Sequence, residues 1–123
     1  MKVPEHLLYT KDHEWISIDN NIATIGITDY AQGELGDIIF IEFPEIDQEF
    51  NSESVFGTVE AVKTVADLFS PINGTIIEVN NELEDNPELV NKDPYGAGWL
   101  VKMKIVNNDT SKLLTHKEYI KII

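Results

Sequence analysis

Apolar and polar residues alternate along much of this chain with a period of two, the mark of strands with one buried face. Trp15-Ile16-Ser17-Ile18 alternates, Asp19-Asn20-Asn21 offers turn residues that tolerate positive φ, and Ile22-Ala23-Thr24-Ile25-Gly26-Ile27 alternates again. That pattern predicts a hairpin. Ile38 to Phe43 is a dense apolar run, which predicts a strand buried on both faces. Ser54–Val62 and Thr64–Phe69 read as the arms of a second, tight hairpin with Lys63 at its tip. Gly74–Asn80 follows as another strand, reached through a Pro-Ile-Asn-Gly turn. Trp99, Val101, Met103 and Ile105 are expected on one face of a late strand, opposite Lys102 and Lys104.

Helical signals are short. Thr28 or Asp29 can cap a helix that stops near Gly36. Asn80 to Pro94 is acidic and contains an Asn-Pro pair, so short helical turns and loop are expected there. Thr115 to Glu118 forms a capping box before a C-terminal helix, with Leu114 and Tyr119 as its hydrophobic staple. Many short strands between turn residues predict two packed sheets or a flattened barrel. With 123 residues, a single domain over 1–123 is expected.

Composition narrows the chemistry. There is no cysteine, hence no disulfide, thiolate metal site or cysteine nucleophile. The net charge is −13 and arginine is absent, so phosphate backbones are repelled and nucleic acid is a poor partner. Most of the carboxylates serve solubility. So acidic a surface would also be steered toward basic patches on other molecules and released quickly. No apolar run is long enough to span a membrane, and Met1-Lys2-Val3-Pro4 lacks the blocks of a signal peptide. His6, His13 and His116 show no metal-ligand spacing. His13 precedes Glu14 in an expected strand, which sends the two to opposite faces. Trp15 and Trp99 read as core residues. No serine or threonine sits in a nucleophile elbow, and no active site of the protein's own is visible.

A lone lysine at a turn is usually a solvated surface charge. The surroundings of Lys63 change that reading: Glu60 before it, then Asp67-Leu68-Phe69-Ser70-Pro71 and Gly74. This block resembles the modified-lysine hairpin of lipoyl domains, and within them the H proteins of the glycine cleavage system. Three further blocks are similar to that family and keep its order. They are Tyr9-Thr10-Lys11-Asp12-His13-Glu14-Trp15 as a first strand, Gly26–Gln32 with Leu35–Phe40 as a helix-to-strand segment, and Asn91–Gly96 with Gly98–Leu100 as a closing loop and strand. Together they span nearly the whole chain. Gly33 departs from the family, where a better helix former is usual. Val62 departs from the acyltransferase lipoyl domains, which place Asp there. Val62 and Thr64 depart from biotin carriers, which flank the lysine with Met.

The resemblance implies a mainly β, lipoyl/biotinyl-type barrel-sandwich hybrid of two antiparallel sheets with short added helices. It implies lipoate in amide linkage to Lys63, and a carrier that is not itself an enzyme. It implies a shuttle of the aminomethyl group between glycine decarboxylase, which uses pyridoxal phosphate, and aminomethyltransferase, which uses tetrahydrofolate. Dihydrolipoamide dehydrogenase and lipoyl-attaching enzymes are the other implied partners. A monomer in a bacterial cytoplasm is the expected setting. Glu60 is a candidate for recognition by the lipoylating enzyme, against the reading of a solvated strand charge. The loaded arm is expected to fold back so that its ammonium meets Glu14, with Asp67 as a second candidate, since carboxylates favour the charged form of a nearby amine. Ordinary solvation is the competing reading for both. An H-like protein serving mainly in lipoate relay to other lipoyl domains, a biotin carrier, and an unmodified acidic adaptor are the alternative functions.

Overall fold

The computed structural model describes residues 1–107 and 110–123. Among the described residues, nine strands form two antiparallel sheets. The strands are β1 (Leu8–Tyr9), β2 (Glu14–Asp19), β3 (Ile22–Ile27), β4 (Ile38–Glu42), β5 (Glu49–Phe50), β6 (Val55–Ala61), β7 (Val65–Phe69), β8 (Gly74–Val79) and β9 (Val101–Ile105). The larger sheet runs β1-β2-β3-β9-β8-β5 and the smaller β4-β6-β7. The described residues also form four short helices between strands or after them: α1 (Asp29–Leu35), α2 (Glu82–Asp85), α3 (Leu89–Lys92) and α4 (His116–Ile120).

Local chemistry explains the connections. Asn20 and Asn21 both take positive φ, 49° and 65°, as a two-residue hairpin turn between right-twisted strands requires. The Thr28 side chain accepts from the Ala31 N–H to start α1, and Gly36 at φ 84° ends it. The capping box at Thr115 and Glu118 opens α4, and Leu114 packs in the same small cluster as Tyr119.

Inward-facing side chains of both sheets meet in one core. Ile16, Ile25, Val59, Leu68, Ile76 and Met103 are among its buried members. A second cluster of Leu7, Tyr9, Trp15 and Tyr119 covers one end, with the Tyr9 and Tyr119 rings stacked at 4.6 Å.

Several sequence expectations need correction. β4 is not buried on both faces: Ile39 and Phe40 are exposed while Ile38 and Ile41 are buried. β4 belongs to the smaller sheet, whose inner face meets the core while Phe40, Glu42, Val65 and Asp67 on its outer face are exposed, and a bulge between Ile38 and Phe40 leaves Ile39 unpaired. Tyr9–Trp15 is not one strand. It folds into β1, a turn, and β2, with Tyr9 paired to Trp15. His13 lies in that turn at φ 68°, not in a strand. Trp99 falls outside β9 and lies against the second cluster; the Lys102 ammonium sits 5.1 Å from the centre of its ring.

Gly57 and Gly33 test how closely the backbone is packed. A Cβ on Gly57 would stand 2.5 Å from the Glu42 carbonyl oxygen, across the β4–β6 pair. A Cβ on Gly33 would meet nothing within 4 Å. Gly57→Ala is expected to destabilise by about 1–3 kcal/mol because backbone must shift. Gly33→Ala is expected to stabilise by roughly 0.5–1 kcal/mol through helix propensity. Urea unfolding of the two variants checks the opposite signs.

Candidate functional site

Two features stand out, the tip of the β6–β7 hairpin and a cavity at the far end of β7. The hairpin pairs Glu60 with Val65, Val59 with Ala66 and Thr58 with Asp67. At its tip the Ala61 N–H donates to the Thr64 carbonyl at 2.7 Å. The tip is also tied sideways, since the Val62 N–H donates to the Asp37 carbonyl at 3.1 Å.

That second anchor rests on a chain of polar contacts. Asn91 in α3 donates from Nδ2 to the Gly36 carbonyl at 2.8 Å and to Gln32 Oε1 at 2.9 Å. Its Oδ1 accepts from the Ile38 N–H at 2.9 Å. One side-chain amide thus fastens the turn between α1 and β4 on which the hairpin tip leans. In the sequence Asn91 reads only as part of a closing loop; its partners lie 53 to 59 residues away, which no local pattern shows.

Lys63 itself is exposed and, among the described residues, takes part in no ion pair. Its Cε would lie 3.5 Å from a Cβ on Gly36, so a side chain at that position would crowd the lysine's end. Val62 and Val65 beside it are 72% and 59% exposed. A rigid backbone, a free ammonium and room around its end suit covalent attachment of a long acyl group.

Val65, Asp67 and Phe69 are alternate residues of β7 and so share a face. From Lys63 to Phe69 is six residues, about 20 Å of extended chain. At Phe69 the strand reaches a cavity of about 370 Å³ whose lining includes Thr10, Glu14, Phe69, Pro71, Leu113 and Leu114.

Glu14 forms part of that wall. It is 1% exposed, which overturns ordinary solvation as the reading for this carboxyl. Its Oε1 accepts from the Thr10 hydroxyl at 2.7 Å and its Oε2 from the Phe69 N–H at 3.0 Å. Burial pushes its pKa up from the usual 4.5 to about 8, against the opposing pull of those two hydrogen bonds. Asp67 does not join Glu14: it is exposed, two residues short of Phe69, and does not line the cavity. Glu60 is half-buried within the hairpin sheet, between Phe40 and Val65 in register.

Residues outside the sequence-based candidates shape the cavity. Glu53, at φ 73°, bridges Lys11 at 3.8 Å and Lys112 at 3.8 Å, joining three segments at its rim. The turn carrying Glu14 is held from behind. The Thr28 N–H donates to the His13 carbonyl at 3.0 Å, and His13 Nδ1 lies 2.9 Å from the Tyr119 hydroxyl. That hydroxyl is 2.8 Å from Thr28 Oγ1. Burial pushes the Tyr119 phenol up to about 12 and lowers His13, against Asp12 and Glu34, so a neutral imidazole is favoured.

The raised pKa of Glu14 sets a pH dependence. The folded state holds a proton between pH 4.5 and about 8 that the unfolded state has released. Stability from this group is therefore full below pH 4.5 and falls as pH rises toward 8. Glu14→Gln is expected to remove that fall. Urea unfolding at pH 5 and pH 8 should show the wild type losing about 2–4 kcal/mol relative to the variant, as an upper bound.

Comparison with known proteins places these features in context. Residues 7–123 match the profile of the family described as glycine cleavage H-protein. Two proteins named glycine cleavage system H protein, from two strains of Staphylococcus epidermidis, are 53% and 52% identical over 124 aligned positions. Each alignment covers 100% of this chain and 98% of the relative. The crystal structure of a glycine cleavage system H protein from Mycobacterium marinum superposes with a TM-score of 0.91 at 38% identity, covering 97% of both chains. The two-sheet arrangement is accordingly the barrel-sandwich fold expected of the sequence.

Proposed function

Since the chain belongs to the glycine cleavage H-protein family, we propose that Lys63 is the residue through which it works, carrying lipoate in amide linkage. Proteins of this family are the lipoyl-carrying shuttles of the glycine cleavage system, and this chain is such a shuttle. The attached dithiolane supplies the sulfur that takes the aminomethyl group from glycine decarboxylase and gives it up to aminomethyltransferase. On this reading the chain is a carrier component and contributes no catalytic group. Its partners are those two enzymes, dihydrolipoamide dehydrogenase and the enzymes that attach lipoate.

The observation that carries the assignment is the exposed lysine on a doubly tied hairpin tip. Attachment by another enzyme needs one lysine among nine to be presented in a fixed geometry. Glu60, three residues before Lys63 on the arm that leads to the tip, is proposed as part of what that enzyme reads.

Glu14 is proposed to receive the charged end of the loaded arm. A neutral carboxyl in a closed wall offers little to a neutral arm. An ammonium brought beside it favours the carboxylate, and the carboxylate in turn favours the ammonium. The amine would then be held protonated, with its lone pair withheld. The cavity wall of Phe69, Pro71, Leu113 and Leu114 supplies apolar contact for the rest of the arm and displaces water. Asp67 lies along β7 between the tip and the cavity and is proposed as a secondary contact.

Intact mass of the protein from its native host, followed by peptide sequencing, tests the central assignment. A lipoyl increment on Lys63, absent in Lys63→Arg, is expected. An unmodified Lys63 in cells with active lipoylating enzyme defeats it. For Glu60, Glu60→Gln is expected to slow lipoylation about tenfold or more without shifting the unfolding midpoint. For Glu14, Glu14→Gln is expected to shorten the lifetime of the loaded carrier in solution, and an unchanged lifetime removes that role.

A further inference from the structure

The outward face of the small sheet has a composition that a solvated surface does not need. Register places Phe40, Glu60 and Val65 in one row across β4, β6 and β7, and Glu42, Thr58 and Asp67 in the next. Residues directly opposite one another, and those two apart along a strand, share a face. The alternate row, Ile41, Val59 and Ala66, faces the core. Phe40 is 56% exposed and Val65 59%, and Val62 and Ile39 are exposed beside them. The face is thus an apolar band crossed by three carboxylates, Glu42, Glu60 and Asp67.

The distribution of cations around it is one-sided. No lysine lies between Lys11 and Lys92 except Lys63, and the chain has no arginine. The strands of this sheet carry no cation, and Lys63 stands in the turn that joins β6 to β7. Lys63 is also the residue that acylation neutralises. Its ammonium must first lose a proton; the nitrogen then displaces the leaving group of an activated acyl donor, and a second proton departs. What remains is a neutral amide N–H where there was a positive charge.

We propose that this face is a docking surface for an enzyme presenting an apolar socket bordered by lysine or arginine side chains, and that acylation of Lys63 strengthens the docking by removing the positive charge at the tip of the hairpin that carries the face. The proposal rests on the carrier reading of Lys63 and adds a regulation to it. Charge complementarity selects the occupant. A second copy of the chain would bring another −13 and the same three carboxylates, so the face repels itself. A basic rim is repelled by Lys63 while it is charged and meets only carboxylates once it is not. Apo carrier, useless to the downstream enzymes, would then compete poorly with the modified form for their docking sites.

The test separates the charge from the arm. Binding of purified aminomethyltransferase from the same host is measured by titration calorimetry to the unmodified chain, the lipoylated chain and Lys63→Gln, at low and high ionic strength. Lys63→Gln is expected to bind about three- to tenfold tighter than the unmodified chain at low salt, with the gap closing at high salt. The lipoylated chain is expected to bind at least as tightly as Lys63→Gln. Glu42→Lys and Phe40→Ser, each added to Lys63→Gln, are expected to weaken binding while leaving the amide spectrum of the core unchanged.

Equal affinities for the unmodified chain and Lys63→Gln overturn the proposal, and so does binding to none of the forms. A lipoylated chain weaker than Lys63→Gln also overturns it, because the arm itself would then cover the face. Self-association of Lys63→Gln would assign the face to a second copy and overturn it too. The Lys63→Gln comparison requires no attached group. Its failure is therefore distinct from failure of the lipoyl assignment, which the mass of Lys63 decides.

Discussion

A lysine at a hairpin tip has a defined position only if the backbone beneath it is held, because loops lie at the low-stability end of a fold. Here the tip is held within the hairpin by Ala61 and Thr64 and from outside by the Asp37 carbonyl. The outside anchor is the more consequential, because it couples the hairpin to a different part of the chain. Asp37 follows Gly36, whose left-handed conformation ends α1, and Asn91 fastens that turn to α3. Placement of Lys63 therefore depends on a helix cap and a side-chain amide far from it in sequence. The bulge at Ile39 lies close to the same junction.

The other end of β7 is governed by a different force. Glu14 is a buried carboxyl in the cavity wall, hydrogen-bonded to the last residue of β7 through the Phe69 N–H. Desolvation opposes its charge, and two donors favour it; desolvation wins, as the direction of the shift shows. A group in that balance responds strongly to an incoming cation, whereas an exposed carboxylate such as Asp67 is screened by solvent. β7 thus joins the turn that carries Lys63 to a cavity whose wall holds a desolvated carboxyl, along one face of one strand. The surface it crosses is acidic and apolar together.

Legibility in the sequence followed the range of the interactions. The Asn20-Asn21 turn, the Thr28 and Thr115 caps and the β6–β7 hairpin were readable because the deciding contacts lie within a few residues. The run Ile38 to Phe43 looks alike whether one face of a strand is covered or both; what packs on the sheet, not the residues of β4, exposes Phe40. Trp99 was misplaced because it continues the alternation of β9 while its ring belongs to the second cluster. The His13–Glu14 pair was expected on opposite faces of a strand. They do diverge, His13 toward Tyr119 and Glu14 toward the cavity, but through a left-handed turn.

By itself the sequence determined the chemistry on offer: one lysine between two strand-forming arms, no cysteine, no arginine, and carboxylates at Glu14, Glu60 and Asp67. It also determined the local turns, because those depend on φ preferences and caps that act over three or four residues. Only the tertiary structure decided which of those carboxylates is buried and which remain in water. Burial depends on what other segments bring: Phe69 from β7 and Thr10 from the preceding turn enclose Glu14, while nothing covers Asp67. A carboxyl's charge is set by its solvation, and solvation is a property of the assembled surfaces, which no stretch of the chain carries alone.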